Sequence, residues 1–393
     1  MAAVLTVVAS VVITVWLDLR HRHIRLADLP SVDMAAQHPD FETFWRSAVA
    51  LTKGTDLYDT PSRLINLNPP LVSVLLTPLT GIPMLTAYRL MVALTVAMVL
   101  GAVLVVAHEL RLGGRVRAAV IGTVLVSSPL HSTLVLGQIY GVLLVGLVAG
   151  WIAERRGRPV LSAVLYGVTV ALKPSLAPIL LLPLALRRWG SLWAGIGAAA
   201  GATLVGVLAA GPASGQRWLS IVLHARVFDY IDNASLPGLA VRFGLPSASG
   251  VLVAVVVLAG TLAWIARHRD RVDPAGTAPW AVLAAALLCS PITWHNYLLL
   301  LLPGVLVLLR TGGWHVPAVL LGLQAVPVSW STLWDSGTTL AEFGQSLYFA
   351  ILAGTWLALV RSANIRLMVP AAGVGDRFAL PAGGRKPSLP APK

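Results

Sequence analysis

The stretch from His38 to Tyr58, HPDFETFWRSAVALTKGTDLY, is the longest polar interruption near the start of an otherwise apolar sequence. Its apolar residues recur at helical spacing on one face, namely Phe41, Phe44, Trp45, Ala48 and Leu51. Asp40 follows a proline and stands where a helix N-cap is expected, while Glu42, Arg46 and Lys53 fall on the wetter side. An amphipathic helix with an aromatic face, between two apolar segments, is typical of the membrane interface. The stretch therefore predicts an interfacial helix that holds an acid at the water boundary.

The composition around this stretch is that of an integral membrane protein. Hydrophobic residues make up 57% of the chain, charged residues 11%, and the mean hydropathy is +0.80. A water-soluble domain of this composition would expose large apolar patches. The single cysteine, Cys289, lies in an apolar run, which excludes a disulfide within the chain and a thiolate metal site. The net charge of +13 does not indicate nucleic-acid binding, because the basic residues are spread over short loops.

Apolar runs separated by short basic or Pro/Gly-rich turns predict an all-α bundle of about twelve transmembrane helices, within a range of 10 to 13. The predicted spans are 2–17, 84–107, 118–130, 132–153, 161–172, 175–186, 192–210, 249–266, 279–294, 297–309, 316–328 and 345–360. Residues 1–368 form the predicted membrane domain. Residues 369–393, rich in Pro, Gly and Ala, are predicted to be a disordered basic cytoplasmic tail.

The distribution of Lys and Arg predicts the sidedness of the chain. Loops assigned alternately to the cytoplasm, together with the tail, hold 18 of the 29 basic residues but five of the 16 acids, as the positive-inside rule requires. The basic cluster Arg20–Arg25 falls on the outside in this scheme. The long outer loops are 18–81, 211–246 and 329–344, and we expect function to reside there because all three share one face.

Four polar residues near the outer ends of these helices have two interpretations each. Asp40 is either a helix cap or a general base. Lys173, before Pro174, either snorkels at a tight turn or is held by a partner at membrane depth. Gln138 bonds either a neighbouring helix or a sugar hydroxyl. His295 belongs either to an interfacial aromatic belt or to a phosphate-binding site.

Several signatures of other protein classes are absent from the sequence. It has no phosphate-binding glycine loop with its lysine, no His, Cys and carboxylate ligand set and no Gly-x-Ser-x-Gly elbow. A transporter or lipid flippase is the alternative from another class, but it should show matching broken helices in two halves, and the polar residues here collect on one face. A structural membrane subunit would not need these polar residues on the same side.

Four sequence blocks resemble the bacterial membrane glycosyltransferases of family 87, which use polyprenyl phosphate sugars. The blocks are Asp40-Phe41 through Gly54-Thr55-Asp56-Leu57-Tyr58; Asn68-Pro69-Pro70-Leu71 leading to Pro78-Leu79; Gly137-Gln138, Val170 to Pro174 and Arg187-Arg188-Trp189; and Ser290 to His295. Family members commonly have Tyr where this chain has Asn68. The resemblance implies a GT-C fold and an active site on the extracytoplasmic face of the plasma membrane.

The resemblance also implies the reaction and its partners. The expected activity is inverting transfer of a sugar, foremost α-mannosyl, from a polyprenyl phosphate donor to a glycolipid or lipid-linked glycan. The alternative is arabinofuranosyl transfer from decaprenyl phosphate arabinose to cell-wall arabinan. The Leu172-Lys173-Pro174 turn and residues 230–246 resemble the arabinofuranosyl branch, whereas Trp294-His295 resembles the mannosyl branch. Neither a cofactor nor a metal is expected.

The resemblance assigns a role to each candidate residue. Asp40 matches the family's catalytic base. The departing phosphate would be met by Lys173, His295, Arg46 and Arg226, and sugar or acceptor hydroxyls by Gln138 and Asn296.

Overall fold

Helices form nearly all of the regular structure in the computed structural model, which describes residues 38–224, 227, 230, 233–311, 313–325 and 345–364. The α-helices are α1 (Pro39–Thr52), α2 (Pro70–Leu76), α3 (Met84–Glu109), α4 (Gly114–Leu125), α5 (Ser128–Leu136), α6 (Tyr140–Arg155), α7 (Pro159–Leu172), α8 (Leu182–Ala185), α9 (Trp189–Ala210), α10 (Pro212–Leu223), α11 (Leu236–Arg242), α12 (Ser247–Arg267), α13 (Ala278–Cys289), α14 (Leu302–Thr311), α15 (His315–Leu323) and α16 (Leu347–Arg361). Three 3₁₀ segments interrupt them, at Thr77–Gly81, Pro174–Leu181 and His295–Leu301. The protein is an all-α polytopic membrane protein. The predicted span 2–17, the cluster Arg20–Arg25 and the tail 369–393 lie outside the described residues.

Within the described part of the chain, α3, α9 and α12 are each long and apolar enough to cross a membrane alone. The pair α4 and α5, bent by 49°, makes a fourth candidate span. The other apolar helices are shorter, because 3₁₀ segments and loops break runs that the sequence predicts as continuous. The total of 10 to 13 spans therefore stays a prediction.

Some predicted helix boundaries are wrong, and the predicted span 279–294 already ends at Cys289. The spans 118–130 and 132–153 were expected to meet at residue 131, which instead lies inside α5. The chain breaks before and after α5, because the Ser127 hydroxyl accepts a hydrogen bond from Leu130 N–H and Gly137 ends the helix in the left-handed region.

The core of the bundle lies around α13, which is buried along almost its whole length. Trp151 of α6 and Trp280 of α13 are fully buried there. At the periphery, α9 and α12 expose large apolar side chains such as Leu208 and Leu252. Such surfaces are stable against lipid and not against water, so these helices form the lipid-facing wall.

The hairpin of α6 and α7 defines two ends of the molecule. The 16 residues of α6 rise about 24 Å between Tyr140 and Arg155. Because α7 returns over a similar distance to Leu172, Gln138 and Lys173 lie at one end and Glu154 at the other. We call these the Gln138 end and the Glu154 end.

Helix α1 forms where the sequence predicts it, but its start and its surroundings differ from the expectation. His38 is the N-cap residue and Pro39 the first helical residue, so Asp40 lies inside the first turn and is not the cap. Proline enters the helix because its fixed φ suits the first position. Glu42, expected on the wetter side, is buried, and the aromatic face of α1 packs on α2 and the 3₁₀ segment Thr77–Gly81.

Candidate active site

Asp40 and Gln138, 98 residues apart in the sequence, meet at the Gln138 end. Gln138 Nε2 donates a hydrogen bond to Asp40 Oδ2 at 2.6 Å. Gln138 lies between α5 and α6 and is buried, while Asp40 is half-buried in the first turn of α1. The partial positive charge of a helix N-terminus favours a carboxylate at this position. The Gln138 amide thus bonds a neighbouring helix, which is one of the two interpretations of this residue.

A glycine makes this contact sterically feasible. Gly137 has φ +68°, and a Cβ at this position would lie 2.5 Å from Cβ of Phe41. Both the backbone conformation and the close approach of α1 therefore require glycine. Gln138 N–H donates to Thr133 O at 2.9 Å, which fixes the turn that presents the amide.

His38 holds the start of α1 against the end of α5. Its ring stacks on Tyr88 with a centroid separation of 3.8 Å, and its Nδ1 lies 2.5 Å from Val135 O. The Tyr88 hydroxyl donates to Leu134 O at 2.8 Å. His38 was not among the predicted site residues, although a histidine directly before Pro39, which opens the helix, is visible in the sequence.

Lys173 is held by two neutral groups. Its Nζ donates to Asn68 Oδ1 at 3.2 Å and lies 5.5 Å from the ring centroid of Tyr297. A ring face attracts an ammonium group without neutralising it. In the described residues no carboxylate lies within ion-pair distance of Lys173. Of the two interpretations of this lysine, the contacts favour a held cation over one that snorkels freely.

Asn68 is fixed in turn by its surroundings. Its N–H donates to Asn66 Oδ1 at 3.0 Å, and its carbonyl accepts from the Tyr58 hydroxyl at 2.8 Å. Burial raises the pKa of Tyr58 above its ordinary value, and nearby Asp56 adds to the effect, so the hydroxyl stays protonated and donates. Asn68, at the position where the resemblance implies a tyrosine, supplies the oxygen that binds Lys173.

Two sets of contacts join the acid to the lysine. On one side, Tyr140, two residues after Gln138, lies 4.8 Å from Tyr297, ring to ring, and Tyr297 contacts Lys173. On the other, Asn66 Nδ2 donates to Ser47 Oγ of α1 at 3.1 Å, beside Asn68. Ser47 lies two helical turns, about 10 Å, beyond Asp40 along α1. The acid and the cation therefore belong to one connected cluster and are separated along it.

His295 and Asn296 lie in the 3₁₀ segment that also carries Tyr297. His295 is buried, and its ring centroid lies 4.8 Å from that of Tyr348 in α16. Asn296 is fully buried, and neither its Oδ1 nor its Nδ2 has a hydrogen-bond partner in the described structure. A buried amide in this state costs about 1 to 3 kcal/mol, so it is available to a polar ligand or water.

Parts of two predicted outer loops, 18–81 and 211–246, make contacts at this end, and the third, 329–344, lies outside the described residues. Trp218 Nε1 of α10 donates to Leu67 O at 3.2 Å, and Asn233 forms an isolated antiparallel bridge with Trp294. Asn233 is fully buried, and its Nδ2 donates to Pro291 O at 3.3 Å. The Asn233-Ala234-Ser235 pattern, which is also that of a glycosylation acceptor, therefore serves loop packing.

The two arginine candidates differ from Lys173. Arg46 Nε lies 2.7 Å from Glu42 Oε1, so an intrahelical ion pair already neutralises its charge. Arg226 lies outside the described residues. Over the described ranges, no three His, Cys, Asp or Glu side chains come together as a possible metal site.

Comparison with known sequences finds one matching family. The model described as glycosyltransferase family 87 matches residues 66–291, a range that contains Asn68, Gln138 and Lys173 but neither Asp40 nor His295. An alpha-(1->3)-arabinofuranosyltransferase of Mycobacterium tuberculosis is 29% identical over 218 residues, which cover 53% of this chain and 50% of that protein. The aligned part of the chain thus spans half the length of this relative.

Two further relatives match over longer ranges. An alpha-(1->3)-arabinofuranosyltransferase of Corynebacterium glutamicum is 26% identical over 299 residues, which cover 69% of this chain and 67% of the relative. One of Mycolicibacterium smegmatis is 27% identical over 283 residues, with 67% and 64% covered. These alignments cover much longer ranges of the chain than the four short sequence blocks that carry the resemblance.

Proposed function

Because the chain belongs to glycosyltransferase family 87, we propose that it transfers an arabinofuranosyl residue from a polyprenyl phosphate donor to a cell-envelope glycan. The protein is a membrane glycosyltransferase. The sugar is inferred from the three relatives, each of which is named an alpha-(1->3)-arabinofuranosyltransferase. Their names favour the arabinofuranosyl alternative over the mannosyl transfer that was foremost in the sequence analysis.

Asp40 acts as the general base in this proposal. The acceptor hydroxyl loses its proton to the Asp40 carboxylate as its oxygen attacks the anomeric carbon, and the bond from that carbon to the phosphate oxygen breaks with inversion. The observation that carries the assignment is the 2.6 Å hydrogen bond from Gln138, which orients the carboxylate through Oδ2. Gln138 would then be a positioning residue for the base as well as a donor to sugar hydroxyls.

Lys173 stabilises the departing phosphate. The broken bond leaves its electron pair on the phosphate, and a cation already in place lowers the barrier without reorganisation. Lys173 suits this role because its contacts, Asn68 and the Tyr297 ring, are uncharged. Two helical turns along α1 separate Asp40 from the Asn68 contacts, and the sugar would bind between base and phosphate.

The remaining candidates have weaker support. His295 is buried against Tyr348, and Arg46 is neutralised by Glu42, so each would need to move before it met a phosphate. Asn296 is better placed by its chemistry, because its unsatisfied buried amide would gain hydrogen bonds to sugar hydroxyls.

A donor comparison tests the proposed reaction. Purified protein in lipid nanodiscs receives radiolabelled polyprenyl phosphate arabinose or polyprenyl phosphate mannose, with an arabinan oligosaccharide or a glycolipid extract as acceptor. We expect label transfer from the arabinose donor to arabinan in the absence of any nucleotide sugar. Transfer from the mannose donor alone would overturn the choice of sugar, and transfer from neither donor would overturn the choice of donor class.

Cysteine labelling tests the proposed extracytoplasmic location. Lys53 follows α1, the helix that carries Asp40, and Arg156 follows α6 at the Glu154 end; both side chains are exposed. In a Cys289→Ser background, we expect an impermeant maleimide to label Lys53→Cys in intact cells and Arg156→Cys only after permeabilisation. The reverse pattern would place the cluster on the cytoplasmic side.

A further inference from the structure

The segment 64–68, which leads into α2, has its polar side chains on the inside and its apolar side chains on the outside. Asn66 and Asn68 are buried, and Asn68 contacts Lys173. The apolar residues beside them are exposed, at 44% for Leu64, 66% for Ile65 and 41% for Leu67. From residue 65 to residue 68 the two kinds of side chain alternate, as they do in an extended chain whose consecutive residues face opposite sides. A loop surrounded by water would have the opposite arrangement, so the outer side of this segment suits hydrocarbon.

Helix α10 provides a second apolar surface beside this segment. None of its residues is buried. Its apolar residues recur at helical spacing on one side, namely Trp218, Leu219, Val222 and Leu223. Trp218 Nε1 donates to Leu67 O at 3.2 Å, which joins the helix to the segment. Leu219, Val222 and Leu223 are exposed, as expected for an amphipathic helix that lies in the membrane interface.

Both surfaces are continuous with the lipid-facing wall of the bundle. Helix α9 belongs to that wall and packs closely on α2, where a Cβ at Gly206 would lie 2.6 Å from Leu71 N. Gly211, with φ +88°, is the link between the end of α9 and the start of α10. An apolar surface therefore leads from the bilayer to the segment that holds Lys173.

We propose, on the basis of the donor class proposed above, that segment 64–68 and the apolar side of α10 bind the isoprenoid chain of the polyprenyl phosphate. The chain lies outside the segment against Ile65 and Leu67, and the phosphate lies inside it at Lys173. Burial of isoprene units on this surface contributes to donor binding in proportion to the apolar area that is covered.

The short distance between the apolar surface and the lysine favours a polyprenyl phosphate over a phospholipid. Leu67 faces outward, and the next residue, Asn68, binds Lys173. In a polyprenyl phosphate the hydrocarbon begins at the phosphate ester oxygen, whereas in a phospholipid a glycerol with two ester groups separates the phosphate from the acyl chains. A single chain joined directly to a phosphate therefore matches this arrangement.

Photolabelling tests the binding surface independently of sugar transfer. Full-length protein in phosphatidylcholine nanodiscs receives polyprenyl phosphate with a diazirine on an isoprene unit near the phosphate, and mass spectrometry identifies the labelled peptides. We expect label on segment 64–68 and on α10, and competition by excess unlabelled polyprenyl phosphate. Label elsewhere, absence of competition, or equal labelling of these peptides by a diazirine phosphatidylcholine would overturn the proposal.

Two variants measure how much the surface contributes to donor binding. Ile65→Asn and Val222→Asn each remove apolar surface at an exposed position. We expect the KM for a long-chain polyprenyl phosphate arabinose to rise about fivefold relative to the KM for an analogue with two isoprene units, with a smaller change in kcat. Ile65→Leu keeps the apolar surface and should keep the wild-type ratio of the two KM values. A wild-type ratio in both asparagine variants would contradict the assigned surface.

Val251→Asn is the matched control. Val251 is 40% exposed, close to the 42% of Val222, and lies near the start of α12 in the lipid-facing wall. Its ratio of KM values should equal that of the wild type, and a change as large as that of Val222→Asn would mean a general effect of polar residues at the membrane surface and would overturn the proposal. If the wild type transferred sugar from neither donor, the proposed function would fail, and photolabelling would still decide whether this surface binds the isoprenoid chain.

Discussion

The contacts of Lys173 at the Gln138 end differ from those of the arginines at the Glu154 end. At the Glu154 end, arginines and acids neutralise one another, as in Arg188–Glu154 and Arg155–Glu109 at 2.5 and 3.2 Å. At the Gln138 end, Lys173 contacts an amide oxygen and a ring, and Asp40 accepts from an amide. The arginines at the Glu154 end thus serve structure, as the Arg46–Glu42 pair does on α1, whereas Lys173 is held by neutral groups.

This difference indicates which end can do chemistry. A lysine in an ion pair has little attraction left for a phosphate, whereas the contacts of Lys173 in the described structure are uncharged. Contacts with neutral groups hold a charged side chain in position and reduce its reactivity less than an ion pair does. Substitution of Lys173 should therefore change the rate, and substitution of the arginines at the Glu154 end the stability.

Asp40→Asn should give the largest effect on rate. Asparagine retains an acceptor for Gln138 Nε2 but cannot take a proton at neutral pH, so transfer should fall by about 10²- to 10⁴-fold. Because His38 is the N-cap residue, no cap is lost and the melting temperature should change little. Initial rates at saturating donor, with thermal unfolding, measure both quantities.

Glu42→Gln is the control for Asp40, since both acids lie in the first turn of α1. It breaks the ion pair with Arg46 and should lower stability while most of the activity remains. An Asp40→Asn protein with near wild-type activity would remove Asp40 from the mechanism.

Lys173→Met should give the second largest effect. Methionine keeps the apolar stem and removes the charge, so transfer should fall by about 10²- to 10³-fold, as for loss of one preorganised donor to a developing anion. Stability should be unchanged or slightly higher, because a half-buried charge disappears. Rates measured over a range of donor concentrations separate the effects on kcat and KM. A fully active variant would show that Lys173 serves only the turn before Pro174.

The sequence predicted the long helices well and the cluster poorly. Helices α3, α7, α9, α12 and α16 lie within about three residues of their predicted bounds, because long apolar runs between basic or proline-containing turns determine them locally. The break between α5 and α6 was missed, since a short Gly137-Gln138-Ile139 link inside an apolar run has little local signal.

The candidate residues could be identified from the sequence, but the contacts between them could not. Asp40, Gln138 and Lys173 were each singled out as polar groups in apolar surroundings or by the resemblance. The Asp40–Gln138 and Lys173–Asn68 hydrogen bonds join residues 98 and 105 positions apart and depend on tertiary packing. The neutral partner of Lys173 was therefore visible only in the structure.

Asn68→Asp would place an ion pair at the Gln138 end, like those at the Glu154 end. The new carboxylate would form an ion pair with Lys173 and compete with the donor phosphate, so kcat/KM for the donor should fall about tenfold or more. Asn68→Ala is the companion variant. It removes the amide oxygen that binds Lys173 without adding a charge, so it should lower kcat/KM less. If Asn68→Ala had the lower kcat/KM of the two variants, the role of Asn68 in positioning Lys173 would matter more than the absence of a charge on Asn68.

Arg155→Met should give the smallest effect on rate and a distinct loss of stability. Arg155 is largely buried, pairs with Glu109 and lies 5.1 Å over the Trp151 ring, so its removal leaves a partly buried carboxylate without its cation. Because the Glu109 side chain is 26% exposed, water compensates in part, and we expect a loss of about 1 kcal/mol in stability. Transfer by the folded protein should stay within about twofold of wild type, since α6 separates Arg155 from Tyr140 by about 24 Å. Thermal unfolding and initial rates on the same preparation check both expectations. A rate loss as large as that of Lys173→Met would show that charge at the Glu154 end also serves the reaction, and the contrast between the two ends would fail.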